Sequence, residues 1–229
     1  MLPLLWKWPP PRISYTPEDR FPVTVRKTPI AILISGRGSN MRSLIEACAQ
    51  PDFPASVALV LSNKEDAAGL DYAREAGLVA EAIPHRTFGK DREAHERAID
   101  ARLKEAGVEF VCLAGYMRLL TPFLTDAWEG RMINIHPSLL PLFPGTHTHE
   151  RALEAGVRIH GCTVHHVTAG MDEGPIIGQA AVPVLHGDTA DELAARVLEQ
   201  EHVLYPMALR KILMDEKKIL HPKSSLLVV

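Results

Sequence analysis

The amino-acid sequence predicts an α/β fold in which helices flank a mostly parallel sheet that ends in antiparallel strands. Continuous apolar runs at 30–34 and 110–114 are typical of strands that are buried on both faces of a parallel sheet. Segments with apolar residues at helical spacing alternate with these runs, which favours the right-handed crossovers of βαβ units. After Gly145 the alternation stops and two extended segments follow each other, which indicates antiparallel strands.

Composition places the chain among globular proteins and argues against several classes of partner. Of the 229 residues, 46% are apolar and 23% are charged, which is typical of a soluble domain. The formal net charge is −3, so no basic surface indicates a nucleic-acid partner. No apolar run approaches the length of a membrane span, and the first residues lack the basic flank of a signal peptide. We therefore expect a cytoplasmic protein with neither nucleic-acid nor membrane partners.

The chain divides into a short arm and one domain. Residues 1–27 are rich in proline and show no helical or strand period, so we predict a poorly ordered arm. Residues 28–229 are enough for one sizeable core and form the single predicted domain. The spacing of Cys48, Cys112 and Cys162 matches neither a disulfide framework nor a zinc site, so we expect buried, reduced thiols.

The domain opens with a strand, a glycine-rich loop and a helix. The apolar strand Pro29–Ile34 leads into the loop Ser35–Asn40, and a helix follows through Leu44 and Cys48. This layout suits a phosphate, because glycines let the backbone come close and free N–H groups at a helix start attract an anion. The loop matches neither the Walker A motif nor the full dinucleotide fingerprint, which favours a mononucleotide or sugar phosphate. A tight strand-to-helix turn without a ligand is the alternative, because such turns also use glycine.

The remaining elements follow in chain order. Further strands are predicted at 57–61, 79–83, 110–114, 158–168 and 176–184, and further helices at 66–76 and 91–106. The last long helix starts at the capping box of Thr189 and Glu192. We expect Pro206 to kink or restart this helix, and we expect little order from Lys217 onward.

Three polar segments follow the carboxyl ends of predicted parallel strands. They are the loop at 36–40, the loop at 115–120 and the segment that holds Asn134 and His136. Carboxyl ends of parallel strands share one edge of the sheet, and ligands of open α/β sheets bind there. The sequence therefore predicts that these three segments form one site.

Asn134 and His136 carry the clearest chemical signal in the sequence. They alternate with Ile133 and Ile135 at the end of a predicted strand, so both polar side chains lie on one face. Both can donate a hydrogen bond to an oxygen that gains negative charge when a carbonyl carbon is attacked, and the imidazole can also move a proton. Asp172, in a later glycine-rich loop, is the carboxylate expected to hold the imidazole and to favour its charged form. Taken alone, Asn-x-His beside proline also fits a turn in which both side chains bind local backbone.

The longer string of residues around this pair resembles a known family. The run Asn134–Pro141, then Pro144–Gly145, then Asp172–Pro175 resembles the folate-dependent formyltransferases. Over residues 29 to about 214 the chain resembles the glycinamide ribonucleotide branch of that family. The resemblance implies a Rossmann-like fold and an enzyme of purine biosynthesis, active as a monomer or homodimer. Such an enzyme transfers a formyl group from 10-formyltetrahydrofolate to the primary amine of glycinamide ribonucleotide.

The resemblance also implies roles for individual residues. Asn134 and His136 would stabilise the oxyanion of a tetrahedral intermediate, His136 would donate a proton, and Asp172 would help to relay the amine proton. The residues implied to hold the substrate phosphate and ribose are Gly38, Ser39, Asn40 and Glu201. The residues implied to line the folate pocket are Arg92, Met117, Arg118, Leu119, Leu120, Asn134, Thr168, Ala169, Gly170, Met171 and Asp172. The alternative for the charged helix residues is a solvated surface position, and for the apolar ones it is plain core packing.

Histidine pairs raise the question of a metal site. Residue types that bind metals occur at His147, His149, Glu150, His165 and His166. A metal site needs three or four converging groups, which a sequence does not show. The resembled family uses no metal, so none is predicted, and His147 is expected to shape the wall of the site instead.

Other functions are alternatives to the one that the resemblance implies. Methionyl-tRNA formyltransferases carry a further C-terminal domain and formyltetrahydrofolate deformylases an N-terminal regulatory domain, and we expect neither here. Another amine formyltransferase is a further alternative. A folate- or nucleotide-binding module without enzymatic activity would be expected to lack Asn134, His136 or Asp172, and all three are present.

Overall fold

A seven-stranded sheet forms the centre of the protein. The computed structural model describes residues 26–219, with side chains up to residue 215. The strands are β1 (Thr28–Ile34), β2 (Ala55–Ser62), β3 (Ala80–Ala82), β4 (Phe110–Leu113), β5 (Met132–His136), β6 (Ile159–His166) and β7 (Ile176–Pro183). They lie in the order β3-β2-β1-β4-β5-β6-β7. Strands β1 to β5 pair in parallel, and β6 and β7 pair antiparallel with their neighbours.

Helices cover both faces of this sheet. The helices are α1 (Ser39–Ala49), α2 (Ala68–Glu75), α3 (Arg92–Glu105), α4 (Pro122–Ala127), α5 (Thr148–Glu154) and α6 (Ala190–Ile219). A short 3₁₀ helix spans His85–Phe88. The predicted fold class, a mostly parallel sheet flanked by helices with antiparallel strands in the C-terminal part, is therefore confirmed.

Strand β1 shows why the sheet is buried on both faces. Alternate side chains of a strand point to opposite faces, and in β1 every residue from Ile30 to Ile34 is fully buried. Ile30, Ile32 and Ile34 pack in the layer that contains α1 and α6. The intervening Ala31 and Leu33 pack in the opposite layer, against α3 and α4. The continuous apolar run thus has the double burial that it predicts.

The structure differs from the sequence-based expectations at several single elements. Helices α4 and α5 were not predicted, since six and seven residues are too few to show a helical period. We expected Pro206 to kink or restart the last helix; α6 runs as one helix from Ala190 to Ile219, so the helix does not restart there, and a kink stays a prediction. Tyr205 and Leu209, on either side of this proline, are fully buried, so packing outweighs the hydrogen bond that proline removes. The same helix ends at Ile219, two residues beyond Lys217, and the rest of the segment for which we expected little order lies outside the described residues.

The three cysteines are free and buried, as predicted. Burial raises the pKa of Cys48 and of Cys162 to about 12, so both stay protonated thiols at neutral pH. Within residues 26–219, no helix is both long and apolar enough to span a bilayer. Residues 1–25 of the predicted arm, and residues 220–229, lie outside the described part of the chain.

Tyr205 ties α6 to the centre of the sheet. Its hydroxyl group lies 2.9 Å from the carbonyl oxygen of Leu113 on β4 and 3.2 Å from that of Ile133 on β5. We expect Tyr205→Phe to lower the free energy of unfolding by about 1 to 2 kcal/mol, because a buried hydrogen bond is lost. Urea denaturation followed by circular dichroism measures this. The matched control is Tyr72→Phe at a half-buried tyrosine, which we expect to change the free energy of unfolding by less than about 0.5 kcal/mol. Equal losses of stability in both variants would contradict the role of the Tyr205 hydroxyl group.

Candidate active site

A cavity of about 590 Å³ lies at the carboxyl ends of β4 and β5. Its wall is formed by residues 115–120, 134–137, 145–148 and 167–172, together with Leu113 on β4 and His165 on β6. Residues predicted for the folate pocket that line it are Met117, Arg118, Leu119, Leu120, Asn134, Thr168, Ala169, Gly170, Met171 and Asp172. Met117 and Leu119 are 73% and 54% exposed, so they form a rim and do not belong to the core.

Strand β5 places Asn134 and His136 on the cavity side. The alternate residues Ile133 and Ile135 are buried in the core, which fixes the register of the strand. His136 is nearly buried, and its Nε2 atom lies 3.0 Å from the carbonyl oxygen of Phe143. A carbonyl oxygen accepts hydrogen bonds and cannot donate them, so this nitrogen of His136 is protonated.

Asp172 forms part of the cavity wall beside His136. Its backbone has a φ of 56°, in the left-handed region that aspartate tolerates better than most residues. Its Oδ2 atom accepts a hydrogen bond from the Gly145 N–H at 2.8 Å and lies 3.5 Å from His136 Nδ1. Because one ring nitrogen faces a carbonyl and the other a carboxylate, the doubly protonated ring can donate on both sides. The arrangement can therefore hold a positive charge next to the cavity.

The segment that follows His136 is held by β6 and β7. Thr163 Oγ1 donates to the Ser138 carbonyl oxygen at 2.7 Å and accepts from the Leu140 N–H at 3.0 Å. Gln179 Nε2 donates to the Leu140 carbonyl oxygen at 2.8 Å. These bonds fix the backbone between β5 and α5, so the position of the imidazole does not depend on a free loop.

The buried His160 and the half-buried His149 form a pair behind the active-site loop. Their ring centroids are 5.3 Å apart, and the rings are almost perpendicular. Burial, followed by the neighbouring rings of His149 and His136, lowers the pKa of His160 to about 4. Burial also lowers the pKa of His149. Both side chains are therefore neutral in the folded protein near pH 7.

These histidines make stability depend on pH. An unfolded histidine has a pKa of about 6.5, so between pH 6.5 and 4 the unfolded chain binds more protons, and stability falls as the pH is lowered. We expect the free energy of unfolding to drop by about 1 to 3 kcal/mol from pH 6.5 to 4.5 through these groups. Denaturant titrations at both pH values should show a smaller drop for His160→Phe, in which other titrating groups are unchanged. An identical drop in both proteins would contradict a neutral His160.

The predicted phosphate loop lies at the carboxyl end of β1. Gly38 caps α1 with a φ of 71°, and a Cβ atom there would lie 2.9 Å from Met41 Cε, so glycine suits this turn. Ser39 is the first residue of α1. Asn40 Nδ2 donates to Glu201 Oε2 on α6 at 2.6 Å, which joins residues 161 positions apart. Burial raises the pKa of Glu201, and Asn40 Oδ1 is buried without a protein partner among the described residues.

The two groups of residues belong to one edge of the sheet. Strands β1 and β4 are parallel neighbours, so the loops that follow them lie side by side. Ser35 Oγ, directly before the phosphate loop, accepts a hydrogen bond from the Met117 N–H at 2.8 Å. This contact joins the end of β1 to the rim of the cavity, whereas Gly38, Ser39, Asn40 and Glu201 do not line the cavity wall, so their place in one shared site stays a prediction.

Comparison with known proteins identifies the family to which this site belongs. Residues 28–209 match the family model described as formyl transferase. The chain belongs to the formyl transferase family. The resemblance that the Asn134–Pro141 and Asp172–Pro175 segments indicated is thus confirmed.

Individual members of the formyl transferase family cover the chain to different extents. Phosphoribosylglycinamide formyltransferase of Escherichia coli K12 is 46% identical over 180 residues, 79% of this chain and 84% of that protein. The human trifunctional purine biosynthetic protein adenosine-3 is 45% identical over 194 residues, and the chain spans about a fifth of its length. A crystal structure of phosphoribosylglycinamide formyltransferase from Brucella melitensis is 55% identical, with a TM-score of 0.78, and the match covers 82% of this chain and 96% of that one.

Not every predicted residue of this formyl transferase lines the cavity. Arg92 is the first residue of α3, is exposed, and lies outside the cavity wall, so its contact with folate stays a prediction. His147 does line the wall, as expected. Among residues 26–219, no three or more His, Cys, Asp and Glu side chains converge as a metal would require.

His165 makes a contact in the formyl transferase site that was not predicted from the sequence. His165 lines the cavity, and its Nε2 atom lies 3.2 Å from Asn134 Nδ2 and 3.8 Å from Asp172 Oδ1. From the sequence, His165 is a possible metal ligand, and no pattern there marks it as a neighbour of Asn134. The available signal was a histidine in a largely apolar strand, at a position that an antiparallel register would place opposite Asn134.

Proposed function

We propose that this chain transfers a formyl group from 10-formyltetrahydrofolate to the primary amine of glycinamide ribonucleotide. The observation that carries the proposal is the convergence of Asn134, His136 and Asp172 on one cavity, with His136 Nδ1 3.5 Å from the Asp172 carboxylate. Relatives that share most of this chain are named phosphoribosylglycinamide formyltransferase, which supports the same reaction. The reaction would be a cytoplasmic step of purine biosynthesis, without nucleic-acid or membrane partners, in a monomer or homodimer.

The donor side of the proposal is supported by the shape and lining of the cavity. A pterin is flat and apolar, with hydrogen-bonding edges, so it suits a cleft that combines apolar side chains with backbone groups. The rim residues Met117, Leu119 and Met171 are exposed apolar side chains that such a ring would cover. Arg118 lies between two of them and is placed to meet the glutamate carboxylates of the donor. Arg92, on the neighbouring helix, is proposed to reach the same tail.

The acceptor side is supported by the loop at the start of α1. The free N–H groups at this helix start favour a phosphate, and no side chain of the described residues caps them. Glu201 and Asn40, hydrogen-bonded to each other at 2.6 Å, present a carboxyl group and an amide oxygen of the kind that bind ribose hydroxyls. We propose that Gly38 and Ser39 hold the phosphate, and that Asn40 and Glu201 hold the phosphate and ribose.

The chemistry follows from the residues around the reacting carbonyl. The amine nitrogen attacks the formyl carbon, a new C–N bond forms, and the carbonyl oxygen becomes an oxyanion. The Asn134 amide would stabilise this oxyanion by a hydrogen bond, and the charged His136 ring would stabilise it through its positive charge. His136 would then give a proton to the leaving N10 nitrogen as the old C–N bond breaks, while Asp172 would take up the proton that the amine loses. No metal is proposed.

The test is a spectrophotometric assay of the purified chain. It follows release of deformylated folate from 10-formyltetrahydrofolate with glycinamide ribonucleotide, with glycinamide that lacks the ribose phosphate, and without any acceptor. We expect rapid release with the ribonucleotide and at least about 100-fold less with glycinamide, because the phosphate and ribose supply binding energy. Equal release without an acceptor would point to a deformylase, and no release under any condition would refute the proposal.

A further inference from the structure

His165 stands opposite Asn134 in the sheet. The antiparallel register of β5 and β6 pairs these two residues, so their side chains lie on the same face. The His165 side chain is 3% exposed, and its Nε2 atom is 3.2 Å from Asn134 Nδ2. This contact joins a buried ring to the amide that is proposed to stabilise the oxyanion.

The hydrogen bonds of His165 decide which of its nitrogens carries the proton. Nδ1 lies 2.9 Å from the carbonyl oxygen of His166. A carbonyl oxygen cannot donate, so Nδ1–H is the donor. Burial lowers the pKa of His165, which favours the neutral ring. A neutral ring with its hydrogen on Nδ1 has a bare lone pair on Nε2, so the contact with Asn134 is a hydrogen bond that the amide donates.

We propose that His165 is a positioning residue for formyl transfer, because its Nε2 lone pair fixes the orientation of the Asn134 amide. This inference rests on the proposed function. An Asn134 amide turned by 180° would place Oδ1 against that lone pair, and two acceptors repel each other. In the observed orientation, the amide nitrogen gives one N–H to His165 and keeps its second N–H for the oxyanion.

Asp172 shows why the ring must be an acceptor. Its Oδ1 atom lies 3.8 Å from His165 Nε2, and its Oδ2 atom lies 3.5 Å from His136 Nδ1. A proton on His165 Nε2 would draw the carboxylate toward His165 and would leave Asn134 without its acceptor. The neutral ring avoids both effects, so Asp172 stays available to His136 while Asn134 stays oriented.

Two variants at position 165 separate orientation from packing. His165→Phe keeps a flat ring and removes the acceptor, and we expect kcat to fall by about 10- to 100-fold while both KM values change less than about threefold. His165→Gln places a side-chain oxygen near the position of Nε2, and we expect it to recover kcat to within about fivefold of the wild type. Thermal melts of both variants accompany the kinetics. Loss of kcat that follows loss of stability, with no recovery by glutamine, would overturn the proposal.

A double-mutant cycle with Asn134→Ala gives the sharper test. If His165 acts through Asn134, His165→Phe should lower kcat by less than about twofold in the Asn134→Ala background. Independent, multiplying losses would overturn the proposal. If His165→Phe does not fold, His165→Met replaces it in the cycle with the same expectation. The wild-type assay keeps the two hypotheses apart: an inactive wild type refutes the proposed function, whereas an active wild type with an unchanged His165→Phe variant refutes this inference alone.

Discussion

Asp172→Asn is expected to reduce kcat by about 10²- to 10⁴-fold and to leave the fold intact. Asparagine has nearly the same shape, and its Oδ1 atom can still accept the Gly145 N–H that now reaches Asp172 Oδ2 at 2.8 Å. The variant loses the negative charge 3.5 Å from His136 Nδ1, so the charged imidazole is no longer compensated. It also loses the group proposed to take up the amine proton. The KM values should change much less, because these interactions matter most in the transition state.

The neighbouring carboxylate provides the control for this experiment. Glu173 is exposed and directly follows Asp172, so Glu173→Gln removes the same charge from the same loop without touching His136. We expect Glu173→Gln to keep kcat within about twofold of the wild type. Steady-state kinetics of both variants measure the loss of kcat, and thermal melts show whether the variants remain folded. Asp172→Asn turnover within threefold of the wild type would remove Asp172 from the mechanism.

The fold was predictable where its signals are local. Burial of β1 on both faces follows from five consecutive apolar residues. The bounds of α3 follow from its apolar spacing and from Asp91, which caps the helix by accepting a hydrogen bond from the Ala94 N–H at 2.9 Å. Helices α4 and α5 were missed because fewer than two turns show no period. The continuity of α6 through Pro206 depends on the burial of Tyr205 and Leu209, which is a tertiary effect and leaves no mark in the local sequence.

In the site, too, residues with a local signal could be predicted, and contacts between distant segments could not. Asn134 and His136 were predictable as a pair because strand alternation alone puts them on one face. Their partner Asp172 was expected from its place in a glycine-rich loop, and the resemblance implied the same residue, but no local spacing rule fixes its contact with His136. The contact between Asn40 and Glu201 joins α1 to the last helix, so it cannot be predicted from the spacing of residues along the sequence. His165 was missed for a related reason, since its role depends on the register between β5 and β6, which the sequence left open.

Gly174→Ala is expected to lower kcat by about 100-fold or more through the backbone of the Asp172 loop. A Cβ atom on Gly174 would overlap the carbonyl oxygen of His166 and would lie 2.7 Å from its carbonyl carbon. That backbone cannot yield easily, because the His166 N–H donates to the Pro175 carbonyl oxygen at 2.9 Å and β6 continues into the sheet. The loop must therefore shift, and Asp172, two residues away, moves with it. A displacement of about 1 Å is enough to cost this much activity.

Gly170→Ala is the matched control on the other side of Asp172. A Cβ atom there would also overlap a neighbour, but this neighbour is the carboxylate end of the Glu173 side chain, which is exposed and can rotate away. We expect Gly170→Ala to change kcat by less than about threefold, because a flexible side chain and not the backbone gives way. The two variants add the same methyl group two residues before and two residues after Asp172 in the sequence. Equal effects of the two would show that loop flexibility, and not the close approach of Gly174 to β6, holds the carboxylate in place.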